Sequence, residues 1–257
     1  MHKMVRIRVI PCLLLRGNYF YKTVKFKDPV YLGDPINILR IFNEKEVDEI
    51  LILDIGASPS RKGPNLPLLR DIASECFMPL GYGGGIRSLD QMKVLFHVGF
   101  EKISLNTIAH ENPNLVTQAA KAFGNQSVVV SIDVKKGLFD NYEVVSRNGT
   151  EKTGRDPVEF AREMEQRGAG EILVNSIDRD GTMQGYDLQL LRMVSSAVRV
   201  PVIACGGAGK VADFGAAVKD GGASAVAAGS MFVFQGKHRA VLISFPEQAV
   251  VEGVFAK

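Results

Sequence analysis

The run Asp48-Glu49-Ile50-Leu51 returns almost unchanged as Gly170-Glu171-Ile172-Leu173, 122 positions later. At the same offset Pro79-Leu80-Gly81-Tyr82-Gly83-Gly84-Gly85 is answered by Pro201-Val202-Ile203-Ala204-Cys205-Gly206-Gly207. Asn106-Thr107 is answered by Gly229-Ser230, one residue further on. A repeat near half the chain length means that each copy is a structural unit stacked or closed against its twin.

Eight short apolar runs of strand length recur along the 257 residues, at 7–15, 49–55, 79–82, 102–105, 127–134, 171–176, 201–205 and 223–228. Between them, at 35–46, 66–76, 88–97, 114–123, 157–168, 188–198 and 211–219, apolar residues recur with helical spacing. Strands that are apolar throughout, not alternately, are covered on both faces, as in parallel sheets. Eight such units are what a (βα)8 TIM barrel needs, and an open doubly wound sheet would not carry the half-length repeat. The expected fold is therefore one α/β barrel domain over 1–257, built from half-barrels of about 5–123 and 124–240.

The charge balance is Lys plus Arg 31 against Asp plus Glu 28, a net +3. So small an excess argues against nucleic acid or an anionic membrane as the main partner, and leaves room for a local anion site. The three cysteines, Cys12, Cys76 and Cys205, have neither disulfide nor metal-ligand spacing. The apolar run near the N-terminus is too short to cross a bilayer and no signal-cleavage pattern follows it, so a cytoplasmic location is expected. His2, His97, His110 and His238 share no strand end. No metal and no cofactor is expected.

In such barrels the chemistry sits on the loops after the strands. Gly83-Gly84-Gly85-Ile86 and its repeat partner Gly206-Gly207-Ala208-Gly209 follow strands, where bare backbone can approach an anion. Asn106-Thr107 and Gly229-Ser230 add donors on the neighbouring units, so a ligand with a phosphate at each end would fit the pair. Tight strand-to-helix turns are the alternative use of these glycines. Asp133 ends the fifth strand as a candidate general acid or base, or as a partner of Lys135. Asp54, Asp178 and Asp180 also close strands and serve equally well as caps or braces. Aligning the first strand with the fifth sets Leu14 against Asp133, and leucine moves no proton. Cys205 is read as a small interior residue, and Tyr19-Phe20-Tyr21 as either an exposed lid or buried loop anchors.

Six segments together resemble the cyclase subunit of imidazole glycerol phosphate synthase over about residues 5–234. They are Gly83-Gly84-Gly85-Ile86, Ser104-Leu105-Asn106-Thr107, Val129-Val130-Ser131-Ile132-Asp133, the run from Arg167 to Leu173, Ser176-Ile177-Asp178-Arg179-Asp180-Gly181-Thr182, and Gly206-Gly207-Ala208-Gly209-Lys210. The resemblance implies a heterodimer with a glutaminase subunit, whose ammonia crosses the barrel to a bis-phosphorylated ribulosyl substrate. It matches Asp133 to one of two acid/base aspartates and Lys22 to a mobile-loop lysine. It places Gly85, Asn106, Thr107, Asp180, Gly181, Gly206, Gly207, Gly229 and Ser230 on substrate or phosphate positions, and Arg8, Glu49, Lys102 and Glu171 on a charged ammonia entrance.

Three departures stand out: Leu14 at the second aspartate, Cys205 at a position usually held by serine, and a C-terminal stretch from Gly236 in which Pro246 interrupts the expected last helix. The segments Cys12-Leu13-Leu14-Leu15 and Lys22-Thr23-Val24-Lys25-Phe26-Lys27 resemble the branch that accompanies sugar amidotransferases of bacterial surface polysaccharides. A divergent barrel serving acetamidino-sugar formation is thus the first expectation. The histidine-pathway cyclase and a non-catalytic glutaminase-activating scaffold are the alternatives.

Overall fold

The computed structural model describes residues 6–57, 63–137 and 141–256. The chain opens with β1 (Arg8–Arg16), doubles back through the hairpin β2 (Tyr19–Val24) and β3 (Lys27–Gly33), and enters α1 (Pro35–Glu44). There follow β4 (Ile50–Asp54), α2 (Leu66–Glu75), β5 (Leu80–Gly83), α3 (Leu89–His97), β6 (Lys102–Leu105), α4 (Thr107–Glu111) and α5 (Asn114–Phe123). The second half runs β7 (Val128–Lys136), the hairpin β8 (Tyr142–Ser146) and β9 (Glu151–Arg155), α6 (Pro157–Gln166), β10 (Glu171–Ser176) and α7 (Leu188–Ser195). It ends with β11 (Val202–Cys205), α8 (Val211–Lys219), β12 (Ala225–Ala228), α9 (Ser230–Val233), the small hairpin β13 (Phe234–Gln235) and β14 (Ala240–Val241), and α10 (Gln248–Phe255).

Strands β1, β4, β5, β6, β7, β10, β11 and β12 pair in parallel in that order, and β12 pairs back onto β1, so the sheet closes into an eight-stranded (βα)8 barrel. All eight apolar runs lie in these strands. They read as continuous because each strand feeds two cores. From β1, Val9, Leu13 and Leu15 pack outward beneath the helices, whereas Ile10 and Cys12 join Leu51, Val129, Leu173 and Ile203 inside the barrel.

Sequence chemistry sets the helix starts, and the two halves use the same devices. Asp34 caps α1 by accepting from Asn37 N, and Asp156 caps α6 by accepting from Val158 N and Glu159 N. A proline follows each cap at the first helical position, where its missing N–H costs nothing. This Asp-Pro pair recurs at the offset of the repeat.

Structure and sequence part in three places. Helix α1 stops at Glu44, short of 46, because Glu46 turns into positive φ (49°). Helices α6 and α7 likewise stop at Gln166 and Ser195, before 168 and 198. The hairpins β2–β3 and β8–β9, each after the first strand of its half, are additions to the plain strand-helix alternation. Beyond Gly236 the chain forms β13–β14, and helix begins only past Pro246, as α10 packed on α8. Among the described residues no helix is long and apolar enough to cross a membrane.

Candidate active site

A cavity opens at the C-terminal ends of the barrel strands. Its walls include Leu14, Lys22, Asn106, Thr107, Asp133, Asp180, Gly181, Gly206, Gly207, Gly229 and Ser230, the residues selected from sequence. Gly85 lies in an adjoining smaller recess shared with Asn106, Thr107 and Arg87.

Asp133 projects from β7 into the floor of this cavity and is buried. Asn106 Nδ2 donates to one carboxyl oxygen at 3.0 Å and Asn175 Nδ2 to the other at 3.0 Å. Burial raises its pKa to about 6, against the pull of the two amide donors, with Asp180 adding a smaller push in the same direction. A carboxyl group poised there can both give and take a proton near neutral pH. Lys135 is not its partner: Lys135 Nζ donates to the Gly149 carbonyl at 2.6 Å.

The folded-state value near 6 lies above the ordinary 3.8, so the native protein holds this proton more tightly than the unfolded chain. That stabilisation is complete below about pH 4 and is lost as pH rises through about 6. Thermal melts of wild type and Asp133→Asn at pH 4.5 and 7.5 are the check. The melting temperature of the asparagine variant should gain on wild type as pH rises, and a pH-independent difference would place the titration elsewhere.

Strand register gives the two-fold its chemical content. Asp133 of β7 stands opposite Asn175 of β10, and at the same place in the other half Leu14 of β1 stands opposite Leu53 of β4. One level deeper, Ser131 opposite Leu173 corresponds to Cys12 opposite Leu51. The polar pair of one half is thus a leucine pair in the other.

Lys22, matched by resemblance to a mobile-loop lysine, lies in a hairpin strand. It is not on an open loop: it sits in β2, paired with Val30 of β3, and is 5% exposed. Its ammonium donates to both carboxylate oxygens of Asp180, at 2.9 and 3.1 Å, and to the Thr23 carbonyl at 3.1 Å. A charge this buried needs such a partner.

The remaining acids act as braces. Asp54 accepts from Gly56 N and Ala57 N, and burial raises its pKa although those two bonds pull it down. Asp178 accepts from Lys136 N at 2.7 Å. The glycine loops are packed against one another: a Cβ on Gly207 would lie 2.2 Å from the Gly185 carbonyl, and one on Gly181 would lie 2.4 Å from that of Thr23. Both residues also have positive φ. Close approach alone accounts for glycine at these two positions, and it lets the loops line the cavity with main chain.

Cys205 faces the barrel interior beside Cys12. The hydrogen bond with Cys12, and then burial, push its thiol far up, which keeps it protonated and a poor nucleophile. Of the aromatic triplet, Phe20 is fully buried as an anchor, while Tyr19 is 46% exposed and meets Tyr31 edge-on. Among the described residues no cluster of three or more His, Cys, Asp or Glu side chains could hold a metal.

Thr23, Ser104, Ser131, Asn148 and Asn175 line the cavity and were not singled out from sequence. Thr23 Oγ1, Ser104 Oγ and Asn175 Oδ1 are buried with no protein partner among the described residues. The available signal was a polar residue inside an otherwise apolar strand, as at Ser104, Ser131 and Asn175.

At the opposite end, Arg8, Glu49, Lys102 and Glu171 meet in a closed ring. Arg8 reaches both glutamates, and Lys102 Nζ donates to Glu49 at 2.9 Å and to Glu171 at 3.0 Å. Burial pulls the Arg8 pKa down, but Glu49 and Glu171 more than offset it and leave it raised.

Fold and mouth together define a (βα)8 barrel with a half-length repeat and one carboxyl group held at the end of its fifth strand. The family described as Histidine biosynthesis protein matches residues 8–239. A Pseudomonas aeruginosa protein provisionally named imidazole glycerol phosphate synthase subunit hisF2 is 54% identical, over 95% of this chain and 97% of its own. A Leptospira borgpetersenii protein, provisionally named subunit HisF of the same synthase, is 47% identical over 98% and 100%. The imidazole glycerol phosphate synthase subunit HisF of Alkaliphilus metalliredigens is 45% identical over 89% and 91%. The chain belongs to the HisF-like family of imidazole glycerol phosphate synthase cyclase subunits.

Proposed function

We propose that this chain is the acceptor barrel of a glutamine-dependent synthase. It docks a glutaminase beneath the ring of Arg8, Glu49, Lys102 and Glu171 and receives ammonia there. Between ring and mouth lies an inner apolar cluster that includes Cys12, Cys205, Ala225 and Ala227. Such a lining suits neutral ammonia and opposes the ammonium ion, whose desolvation is costly. The ring is closed in this structure, so passage requires one of its ion pairs to part. At the mouth, Asp133 handles the proton, Lys22 and Asp180 orient the ligand, and the glycine loops with Asn106, Thr107, Gly229 and Ser230 take phosphate groups.

The acceptor is not the histidine-pathway substrate in this reading. The observation that carries it is Leu14, which stands where the two-fold calls for the counterpart of Asp133. A barrel that keeps its ammonia ring and gives up one of two proton-transfer groups suits a divergent synthase, in which a sugar amidotransferase uses the ammonia to make an acetamidino sugar for surface polysaccharide. The 45% identity to the A. metalliredigens subunit favours the second reading, the histidine-pathway cyclase itself.

Two measurements separate them. The wild-type chain should fail to rescue a histidine auxotroph lacking its cyclase, and rescue would establish the second reading. Co-expressed with its glutaminase, the chain should raise glutamine hydrolysis, and transfer of the ammonia to an acetamido sugar should require the amidotransferase. Hydrolysis unchanged by the barrel would remove both readings.

A further inference from the structure

We infer that Arg239, on the β13–β14 hairpin, is an anion-binding residue that completes the phosphate cradle of the second half-barrel. The inference rests on the reading of that cradle given above, and it adds a side chain from a segment outside the repeat.

Arg239 lies in the turn between Phe234–Gln235 and Ala240–Val241, and its guanidinium reaches back over the loops after β10 and β12. Nη1 donates to the Gly181 carbonyl at 2.9 Å, and Nη2 stands 3.5 Å from Ser230 Oγ. Gly181 and Ser230 both line the cavity. The guanidinium also lies 4.6 Å from the centre of the Phe234 ring, which fixes its plane.

Two features point to a ligand. First, Arg239 has no carboxylate partner among the described residues, although it is half-buried. At the other cradle, Arg147 is taken up by Glu111 and Glu151. Second, a guanidinium carries five N–H donors, and the two contacts to neutral oxygens use two of them, leaving three for an anion. Lys22, which lines the cavity, is already neutralised by Asp180. Arg239 therefore supplies an uncompensated charge for a phosphate monoester at this cradle.

The test is a titration of the full chain with inorganic phosphate, followed by amide NMR at both cradles. In wild type, the amides of Gly207, Gly229 and Ser230 should shift saturably. Arg239→Gln should weaken that binding about tenfold and leave the shifts at Gly85, Asn106 and Thr107 unchanged. Arg239→Lys, which keeps charge without the guanidinium, should fall between. Unperturbed amide spectra without phosphate would show that each variant folds, and Arg239→Ala serves as a second variant if the glutamine disturbs the hairpin. Equal affinity in wild type and Arg239→Gln overturns the inference and leaves the cradle reading standing. Saturation only at Gly85, Asn106 and Thr107 also overturns it, and no saturation at either cradle removes the phosphate reading itself.

Discussion

Leu14→Asp is expected to create the histidine-pathway reaction in this barrel. Supplied with ammonium and the bis-phosphorylated ribulosyl substrate, the variant should turn over roughly 10²–10⁴-fold faster than wild type, the usual contribution of one positioned acid or base. Leu14 lines the cavity and stands where the two-fold places the counterpart of Asp133. The new carboxyl group would therefore face ligand from the opposite wall. It would lack both supports that Asp133 has, since Asp133 is held by the amides of Asn106 and Asn175, whose counterparts in the other half are Gly229 and Leu53. The double change Leu14→Asp with Leu53→Asn rebuilds one of those donors and should lie nearer the top of the range. Leu14→Asn, of similar shape and without a titratable group, should gain nothing. Steady-state rates and rescue of a histidine auxotroph are the readouts. A folded double variant with wild-type rates would mean that the acceptor site differs in more than this carboxylate.

The barrel was legible in the sequence because its strands are covered twice. Burial beneath helices and burial inside the barrel impose separate demands on alternate residues, and both are met by apolar side chains, so β1, β7 and β10 stand out as unbroken runs. The hairpins were not legible in the same way. Strand β3 is largely exposed and carries no apolar run, yet the turns were signalled: Gly17-Asn18 joins β1 to β2, and Asn148-Gly149 lies between β8 and β9. The Lys22–Asp180 pair joins residues 158 positions apart, and no local pattern encodes it. The placement of Arg239 is hidden for a different reason. It lies past the last repeated element, where neither periodicity nor the half-barrel symmetry says which way a side chain points. The match of Leu14 to Asp133 rests on strand alignment and not on the repeat offset, which would set Asp133 against Pro11; it is the registers Leu14–Leu53 and Asp133–Asn175 that fix it.

The ring beneath the barrel has the second large effect, and it acts on stability and coupling together. Glu49 and Glu171 are buried, with side chains 5% and 11% exposed, and each is held by both Arg8 and Lys102. Lys102→Ala leaves two buried carboxylates facing one cation. Removing one member of a buried ion pair costs about 3–5 kcal/mol. Lys102 is 18% exposed and Arg8 still reaches both acids, which sets the expectation at the lower end, about 3 kcal/mol. The midpoint of urea unfolding should drop accordingly. Pairing Lys102→Met with Glu49→Gln removes one charge of each sign and should recover much of that loss. If the ring admits ammonia, the same variants should lose glutamine-dependent transfer while retaining transfer driven by ammonium added to solution, because the mouth around Asp133 is untouched. A ring that only staples the strands would lower stability and leave the ratio of the two activities unchanged, and the stability-restored double variant separates these outcomes.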